Sequence, residues 1–370
     1  MNTDIIPDLG EFGYNAVTIE VNNTCNMACT FCPLPIRESP TGSMNKKQVL
    51  KFLEELATYQ KLKWVQFYMY GEPLLNKDVW EYVDHCRHLG LTSWLSTNGL
   101  LFNKKNVGLL LKHPPDLFRI SLQILDPAKH NDVRQTKMSF SRYVNQVADG
   151  LARLIDEKPE IGEIRTDLAV KVDNYKGWLK IKNDLSVLLG VKENGDPTVT
   201  ETISGTKLFF IDFLKLVEEK SKTFQLSIDQ VDQHIDSFYS KNGPQIFSTA
   251  YDFGNNNKVV YKEFFNGRYL TDYYPAEKGS CNTQGVGILY DGSVVLCVMD
   301  YQGHSVMGNV FEESLISILR RNEKFISQLR NYGTMPTEMC KNCIGAPTKH
   351  GVLLQTAYRK VRETKRALWA

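Results

Sequence analysis

The chain has 370 residues with 44 basic and 42 acidic side chains, so its formal net charge at pH 7 is +2. Hydrophobic residues make up 42% of the chain and aromatic residues 11%, which is typical of a folded globular protein. No basic block of the kind that follows a phosphate backbone is present, so we expect no nucleic-acid partner. No apolar run approaches the length of a membrane span, and the N-terminal residues lack a secretory pattern, so we expect a cytoplasmic protein without a membrane partner.

The first half of the chain alternates predicted strands and helices. Apolar and polar side chains alternate with a period of two in the strand-like segments and follow helical spacing between them. Strict alternation of this kind predicts an α/β fold with a parallel sheet, which we expect to be a partial (β/α)6 TIM-like barrel. The predicted strands are 17–22, 63–70, 92–97, 116–124, 163–170 and 197–204, and the predicted helices are 45–59, 77–90, 103–113, 140–156, 174–190 and 207–220.

The pattern changes beyond residue 222. Segments 261–274 and 285–297 read as hairpins that turn at Asn266-Gly267 and Asp291-Gly292, and a helix is predicted at about 311–330. We therefore expect three regions: a partial barrel over 1–221, a linker over 222–257, and a small α+β domain of hairpin plus helix over 258–370.

Three of the eight cysteines lie within one short loop after the first predicted strand. Cys25, Cys29 and Cys32 can hold three irons of a four-iron, four-sulfur cluster and leave the fourth iron open to another ligand. Structural zinc is the alternative, but zinc sites usually close with four ligands, and no fourth cysteine or histidine lies nearby in the sequence. In a reducing cytosol, such clustering favours metal ligation over disulfides.

The segment CNMACTFC, with Phe31 before its last cysteine, resembles the signature of the radical S-adenosylmethionine (SAM) superfamily. The resemblance implies that the open iron binds the amino and carboxylate groups of SAM. It also implies that one electron cleaves SAM to a 5'-deoxyadenosyl radical, which abstracts hydrogen from a substrate. An electron donor of the flavodoxin or ferredoxin type is implied as a partner.

Three further segments resemble parts of this family that contact SAM. YGEP resembles the Gly-Gly-Glu motif with Tyr70 in place of the first glycine, STNG resembles the segment near the ribose, and SLQILDPAKHNDVR resembles a Ser-Leu-Asp-Gly stretch that ends in arginine. The structural alternatives are a turn cap for Glu72, an interior hydroxyl for Ser121 and a turn at Asn98-Gly99. The resemblance assigns these residues to SAM binding: Phe31, Gly71, Glu72, Ser96, Asn98, Ser121, Arg134 and Arg142.

Four more cysteines lie in the C-terminal part. Cys281, Cys297, Cys340 and Cys343 resemble the auxiliary-cluster extension of radical SAM enzymes, called SPASM with two clusters and Twitch with one. No cysteine follows Cys343, so we expect one auxiliary 4Fe-4S cluster, with zinc as the alternative. The remaining Cys86 lies among apolar residues at helical spacing and is interpreted as a packing residue.

The leading functional expectation is an enzyme that oxidises a small polar metabolite, with the auxiliary cluster as electron acceptor. Within the same family, the alternative is a maturase or epimerase of a ribosomally made peptide. Too few residues precede Cys25 to hold a peptide-recognition domain, which weakens this alternative. A non-catalytic iron-sulfur electron carrier is the alternative from another class. No catalytic acid, base or hydrogen donor is assigned.

Overall fold

The computed structural model describes residues 7–30, 32–122, 127–157, 163–171, 211–231, 249–252, 257–264 and 274–345, together with 349, 351–353, 356, 357 and 360. The strands are β1 Ala16–Ile19, β2 Trp64–Phe67, β3 Ser93–Thr97, β4 Leu117–Ser121, β5 Glu163–Lys171, β6 Thr249–Asp252, β7 Asn257–Phe264, β8 Lys278–Gly279, β9 Gly285–Ile288, β10 Ser293–Val295, β11 Val306–Asn309 and β12 Gly333–Thr334. The helices are α1 Lys46–Leu56, α2 Val79–His88, α3 Lys104–Lys112, α4 Pro127–Arg134, α5 Phe140–Glu157, α6 at 211–220, α7 Leu315–Arg321, α8 Glu323–Arg330 and α9 Glu338–Cys343.

The alternation of strands and helices in the first half is confirmed. The sequence pattern also marks helix ends: the Asn45 side chain accepts hydrogen bonds from the first backbone N–H groups of α1. Beyond α2, Gly90 has a φ of 71°, a conformation that favours glycine. The short helix α4 has a low proportion of apolar residues and was not predicted. The predicted helix 174–190 and strand 197–204 lie outside the described residues.

Ten strands form one sheet in the order β11-β10-β9-β1-β2-β3-β4-β5-β7-β6. Neighbouring strands from β1 to β5 pair in parallel, and so do β5 with β7 and β1 with β9. Because these strands are parallel, their carboxyl ends meet at one edge of the sheet, and the cysteine loop and the predicted SAM motifs all follow such ends. The expected α/β architecture is therefore present.

The sixth parallel position differs from the expectation. Among the described residues, β7 takes the position beside β5, while the strand predicted at 197–204 lies outside the described part of the chain. Residues 261–264 therefore belong to this sheet, and the preceding strand β6 pairs antiparallel with the first part of β7, from Lys258 to Tyr261. The hairpin predicted to turn at Asn266-Gly267 has its turn and most of its later arm outside the described residues. A strand rich in β-branched and aromatic residues can pair with several neighbouring strands, so its sequence does not specify which strand it joins. The predicted boundary between the linker, which ends at residue 257, and the C-terminal domain, which begins at residue 258, stays a prediction.

The C-terminal part extends the same sheet. The predicted hairpin turning at Asp291-Gly292 is formed by β9 and β10, and Gly292 has a φ of 88°. The single helix predicted at about 311–330 is two helices, α7 and α8, which meet at Asn322. The Asn322 side chain donates a hydrogen bond to the Met307 carbonyl at 3.0 Å, and this bond fixes the junction against β11.

One face of the central sheet is apolar and is covered by the helices. Apolar side chains such as Val65, Phe67 and Phe118 are fully buried on the face that the helices cover. Cys86 on α2 is fully buried in the same core, as its packing interpretation requires. Among the described residues, no helix is long and apolar enough to cross a lipid bilayer.

Candidate active site and cluster sites

The first cysteine loop follows β1 and is held at both ends. The Asn22 side chain donates to the Thr24 carbonyl at 2.9 Å, just before the loop. Glu20, the first residue after β1, forms an ion pair with Arg37 at 2.6 Å, and both side chains are almost fully buried. This ion pair ties the segment that follows the cysteines back to the strand that precedes them.

The thiols of this loop lie close enough to influence one another. Burial, with smaller contributions from the nearby Cys29 and Cys25, raises the pKa of Cys32 to about 12. Burial also raises the pKa of Cys25 to about 11 and the pKa of Cys29 above its usual range. Thiols with raised pKa values are protonated at neutral pH. Metal binding must therefore release protons from them, so cluster assembly is favoured as pH rises.

A buried arginine lies against this loop. Arg134, at the end of α4, is 2% exposed, and its backbone carbonyl accepts a hydrogen bond from Cys29 Sγ at 3.7 Å. Burial acts to lower the pKa of Arg134, but Cys29, Tyr143 and Cys25 act to raise it, and the net shift is upward. A fixed positive charge at this position stabilises thiolates, so Arg134 favours the metal-binding form of the loop.

The turn at 70–72 packs on the cysteine loop, and only glycine fits at its centre. A Cβ atom on Gly71 would lie 1.9 Å from the Asn22 carbonyl oxygen and 3.1 Å from the Thr24 carbonyl oxygen. The next residue, Glu72, donates its backbone N–H to the Thr24 carbonyl at 2.8 Å. Gly71 therefore has a packing role in this structure, besides the SAM contact that the sequence predicts.

The Glu72 carboxylate is buried and accepts three hydrogen bonds. Oε1 accepts from Leu74 N at 3.1 Å and from Thr97 Oγ1 at 2.7 Å, and Oε2 accepts from Asn98 N at 2.7 Å. Burial raises the pKa of Glu72, while these donors oppose the shift. A carboxylate offers about four acceptor positions, so one further donor can bind. The turn-capping interpretation and the predicted contact with the SAM amino group are therefore compatible.

Asn98 connects the end of β3 to the first cysteine. Its Nδ2 donates to Asn26 Oδ1 at 2.7 Å and to Cys25 Sγ at 3.5 Å. Its carbonyl accepts a hydrogen bond from Tyr143 OH at 2.6 Å. Amide donors to cysteine sulfur are one means by which a protein tunes the potential of an iron-sulfur cluster.

The other predicted SAM contacts are brought together only in part. Ser121 ends β4, and its carbonyl accepts a hydrogen bond from Arg134 Nη2 at 3.3 Å. Arg142 is exposed and lines a groove between α3 and α5, and no contact within the described part of the chain joins it to the cysteine loop. Phe31 lies outside the described residues. SAM binding by these residues stays a prediction.

An aromatic and polar cluster lies on the sheet face opposite the helices, and Ser96 is the one member that the sequence analysis singled out, as a predicted SAM contact. The Arg119 guanidinium carbon lies 5.1 Å from the ring centroid of Tyr68 and 5.5 Å from that of Trp94. Arg119 Nε also donates to Ser96 Oγ at 2.9 Å, and Trp94 meets Trp64 edge to face at 5.8 Å. We call these five residues the inner-face cluster. The period of two in the strands already separates them from the apolar core, and this alternation is the sequence signal that could have identified them.

Four cysteines from three segments converge in the C-terminal part. Cys281 precedes β9, Cys297 follows β10, and Cys340 and Cys343 lie on α9. Burial, with smaller contributions from the other three thiols, raises the pKa of Cys297. Burial also raises the pKa of Cys340 to about 11. The structure therefore brings the four predicted ligands of the auxiliary cluster into one group.

Arg330 on α8 organises this second cysteine site. Its guanidinium donates to the Gly13 carbonyl at 3.0 Å and to the Cys281 carbonyl at 3.5 Å, and it lies 4.5 Å from the Tyr14 ring centroid. Tyr14 OH in turn donates to the Leu296 carbonyl at 2.8 Å, one residue before the second cysteine of the site. These partners are distant in sequence, so no local motif could have marked Arg330.

The segment that follows Cys297 lies against the turn at 70–72. A Cβ atom on Gly287 would lie 3.1 Å from the Cys297 carbonyl oxygen and 3.3 Å from Met69 Cε. The Tyr301 ring meets the Tyr70 ring edge to face, with centroids 5.7 Å apart. Contacts therefore run from the auxiliary cysteine segment to the turn that carries the predicted SAM motif.

His130 on α4 is fully buried beside the first site. Its ring stacks on Tyr143 at 5.0 Å and meets Phe140 edge to face at 5.3 Å. Neither ring nitrogen has a hydrogen-bond partner among the described residues. Burial, followed by the nearby Arg134 charge, lowers the pKa of His130 to about 4. The imidazole is therefore neutral at physiological pH and acts as an apolar packing group.

Replacing His130 with phenylalanine should remove a pH dependence of folding. Wild-type stability should fall by about 2 kcal/mol between pH 7.5 and pH 5, because the unfolded state takes up a proton at this histidine below its usual pKa while the folded state does not. His130→Phe should retain stability at pH 7.5 and lose that part of the decline. Denaturant unfolding at both pH values measures it, and an unchanged decline in the variant would contradict the prediction.

The fold and the two cysteine sites together define an α/β iron-sulfur protein, with an open three-cysteine site after β1 and a four-cysteine site in a C-terminal extension. Residues 19–158 match the radical SAM superfamily, and residues 280–344 match SPASM, an iron-sulfur cluster-binding domain. The chain belongs to the radical SAM superfamily.

Three curated relatives are similar to parts of the chain. An uncharacterized protein of Methanocaldococcus jannaschii is 30% identical over 213 residues, 55% of this chain and 68% of that protein. PqqA peptide cyclase of Xanthomonas campestris is 30% identical over 128 residues, 34% of each chain. The S-adenosyl-L-methionine-dependent 2-deoxy-scyllo-inosamine dehydrogenase of Niallia circulans is 28% identical over 105 residues, 26% of this chain and 40% of that protein. The chain spans less than half the length of the cyclase and of the dehydrogenase.

Among solved structures, BtrN in complex with AdoMet and 2-DOIA aligns over 89% of this chain and 92% of that chain, with 17% identity and a TM-score of 0.45.

The cofactors of this protein are 4Fe-4S clusters and SAM, as the two family matches establish. The donor sets fit these cofactors, since soft thiolates are the usual ligands of iron-sulfur clusters. No three His, Cys, Asp or Glu side chains within the described ranges are arranged to hold a single metal ion.

Proposed function

We propose that this protein is a radical SAM oxidoreductase that dehydrogenates a small polar metabolite, with the auxiliary cluster as the electron acceptor. The observation that carries the proposal is the contact between Tyr70 and Tyr301, 5.7 Å between ring centroids, which joins the SAM-motif turn to the auxiliary cysteine segment. An acceptor must lie near the site where the substrate radical forms. A cluster held by four cysteines also has no open iron for substrate, which favours a role in electron transfer.

Within this proposal, the residues of the first site bind and orient SAM. Cys25, Cys29 and Cys32 would hold the first cluster, which, when bound, supplies the electron that cleaves SAM. The Glu72 carboxylate is already fixed by donors from Thr97 and Asn98, so it can receive the SAM amino group without reorganising. Preorganisation of this kind keeps the reactive end of SAM in one position.

The inner-face cluster supplies the proposed substrate contacts. Trp94 Nε1 is buried and has no hydrogen-bond partner within the described part of the chain, so it can donate to an acceptor atom of a substrate. The strand register pairs Arg165 with Arg119 and Asp167 with Ser121. Hydroxyl or carboxylate groups are the substrate features that such donors bind.

The mass of the product tests the proposed oxidation. Loss of one hydrogen atom to the 5'-deoxyadenosyl radical, one electron to the auxiliary cluster and one proton to solvent leaves a product two hydrogens lighter than the substrate, with one SAM consumed. Cys340→Ala and Cys343→Ala should still form 5'-deoxyadenosine but yield little oxidised product, provided that they fold. A product of unchanged mass that carries one solvent deuterium on carbon would instead identify an epimerase.

Replacing Arg119 with alanine should lower kcat/KM for the substrate by about tenfold to a hundredfold, since a charged hydrogen bond contributes about 1.5 to 3 kcal/mol. Abortive SAM cleavage without substrate should fall less than substrate turnover, because the hydrogen bond from Arg119 Nε to Ser96 Oγ links Arg119 to one predicted SAM contact and not to the cysteine ligands themselves. Arg119→Lys should recover only part of the loss, since lysine cannot reproduce the planar stacking on Tyr68 and Trp94. Unchanged kcat/KM in the alanine variant would remove Arg119 from the substrate site.

A peptide-modifying activity is the second candidate function. The observation that favours it is the similarity to PqqA peptide cyclase, whose identity of 30% equals that of the Methanocaldococcus jannaschii relative. A peptide crosslink also loses two hydrogens, so product mass alone does not separate it from metabolite oxidation. Mass analysis after incubation with peptide and metabolite fractions, kept separate, identifies which fraction contains the substrate.

A further inference from the structure

A groove of about 540 Å³ lies between α3 and α5, outside the sites described above. The side chain of Asn103, just before α3, accepts a hydrogen bond from Asn106 N and so caps the start of this helix. Basic and amide side chains from both helices face the groove. It is lined by Phe102, Asn103, Lys104, Val107, Arg142, Asn145, Gln146, Asp149, Gly150 and Arg153.

The groove carries an excess of positive charge. Lys104 and Arg142 are exposed, and no carboxylate among the described residues lies within ion-pair distance of either of them. Asp149, the one acidic lining residue, pairs with Lys220 at 2.8 Å, and Arg153 pairs with Glu157 at 2.5 Å. The excess positive charge of the groove therefore comes from Lys104 and Arg142. From Arg142 to Arg153 the helix rises by about 16 Å, so the basic surface is too long for a single small anion and has the scale of a protein contact.

The groove is connected to the first cysteine by a short chain of hydrogen bonds. Gln146, on the groove wall, donates from Nε2 to the Gly99 carbonyl at 3.0 Å and to the Leu100 carbonyl at 2.9 Å. The preceding residue, Asn98, places its Nδ2 3.5 Å from Cys25 Sγ. Two loop residues, Gly99 and Asn98, therefore separate Gln146 on the groove wall from the predicted cluster ligand Cys25.

We propose that this groove is the docking site of an acidic one-electron donor protein of the flavodoxin type. The inference rests on the proposed function only in so far as SAM cleavage requires an external electron. In the docked complex, one electron leaves the donor and is taken up by the cluster that Cys25 would hold, and no bond forms or breaks. Charge complementarity accelerates encounter and fixes orientation, which places the donor cofactor on the Gln146 side of the cluster.

Binding of a purified flavodoxin to the cluster-loaded enzyme tests the proposal by calorimetry. Lys104→Glu combined with Arg153→Glu should raise the Kd at least about tenfold, and wild-type affinity should fall as ionic strength rises. Lys47→Glu combined with Lys112→Glu is the matched control, because it makes the same charge change on exposed residues of α1 and at the far end of α3. Equal Kd values for the two double variants would overturn the proposal.

Activity then separates this inference from the proposed function. The groove variant should form 5'-deoxyadenosine at the wild-type rate with dithionite, which needs no docking, and more slowly with reduced flavodoxin. Failure of dithionite to drive SAM cleavage in the wild type would count against the proposed function and leave the binding result intact. If the groove variant does not fold, carbodiimide crosslinking of wild type to flavodoxin decides the matter. Crosslinks at Lys104 support the site, and crosslinks confined to other lysines overturn it.

Discussion

Replacing Cys25, Cys29 and Cys32 together with alanine should reduce bound iron from about eight to about four atoms per chain and abolish SAM cleavage. The first site loses all of its thiols, whereas the four cysteines of the second site lie in another part of the fold and keep their cluster. Iron and acid-labile sulfide, determined after anaerobic reconstitution, measure the first effect. Chromatographic detection of 5'-deoxyadenosine measures the second.

Cys86→Ala is the matched control for this experiment. Cys86 is fully buried in the core, so its replacement should cost about 1 kcal/mol of stability and leave both iron content and turnover unchanged. Tightly bound zinc without labile sulfide in the triple variant would contradict the assignment of the auxiliary cluster. Loss of turnover in the Cys86 variant, with normal iron and folding, would indicate that Cys86 donates hydrogen in the reaction.

Replacing Gly71 with alanine should destabilise the protein by about 3 kcal/mol or more and prevent stable loading of the first cluster. The added Cβ would lie 1.9 Å from the Asn22 carbonyl oxygen, a backbone atom that cannot move without displacing the start of the cysteine loop. Denaturant unfolding and the iron content of reconstituted protein measure the two consequences.

Gly108→Ala is the control, with an effect of the opposite sign. Gly108 lies inside α3, and the nearest heavy atom to its added Cβ would be 4.0 Å away. Alanine in a helix interior is about 1 kcal/mol more favourable than glycine, so this variant should be more stable and load both clusters normally. A Gly71→Ala variant that loads both clusters as fully as Gly108→Ala would show that the 70–72 turn does not support the loop.

Much of the barrel and the ligand sets could be predicted from local sequence patterns. Alternating side chains predicted the strands from β1 to β5, and the spacing of Cys25, Cys29 and Cys32 predicted a site with one open position. Turn residues placed the β9–β10 hairpin correctly at Gly292, because a positive φ is a strictly local requirement.

Partners distant in the sequence could not be predicted in this way. The position of β7 beside β5 depends on a competition between strands of similar composition. Arg330 contacts carbonyls about fifty and more than three hundred residues away, and no spacing rule connects them. The exposed position of Arg142 in the groove, compared with the buried position of Arg134 at the cysteine loop, likewise depends on how α4 and α5 pack.

The sequence by itself determined the family, the two cysteine sets and the alternation of strands and helices, because each depends on short covalent spacing or on a local period. The tertiary structure alone decided that Gly71 must be glycine, that Arg119 stacks on Tyr68 and Trp94, and that Tyr301 reaches Tyr70. It also decided that Gln146, on the wall of a basic groove, donates a hydrogen bond to the Gly99 carbonyl, next to Asn98. These features depend on distances between segments that are joined by the packed sheet and not by the chain, and close packing fixes such distances only when the whole fold has formed.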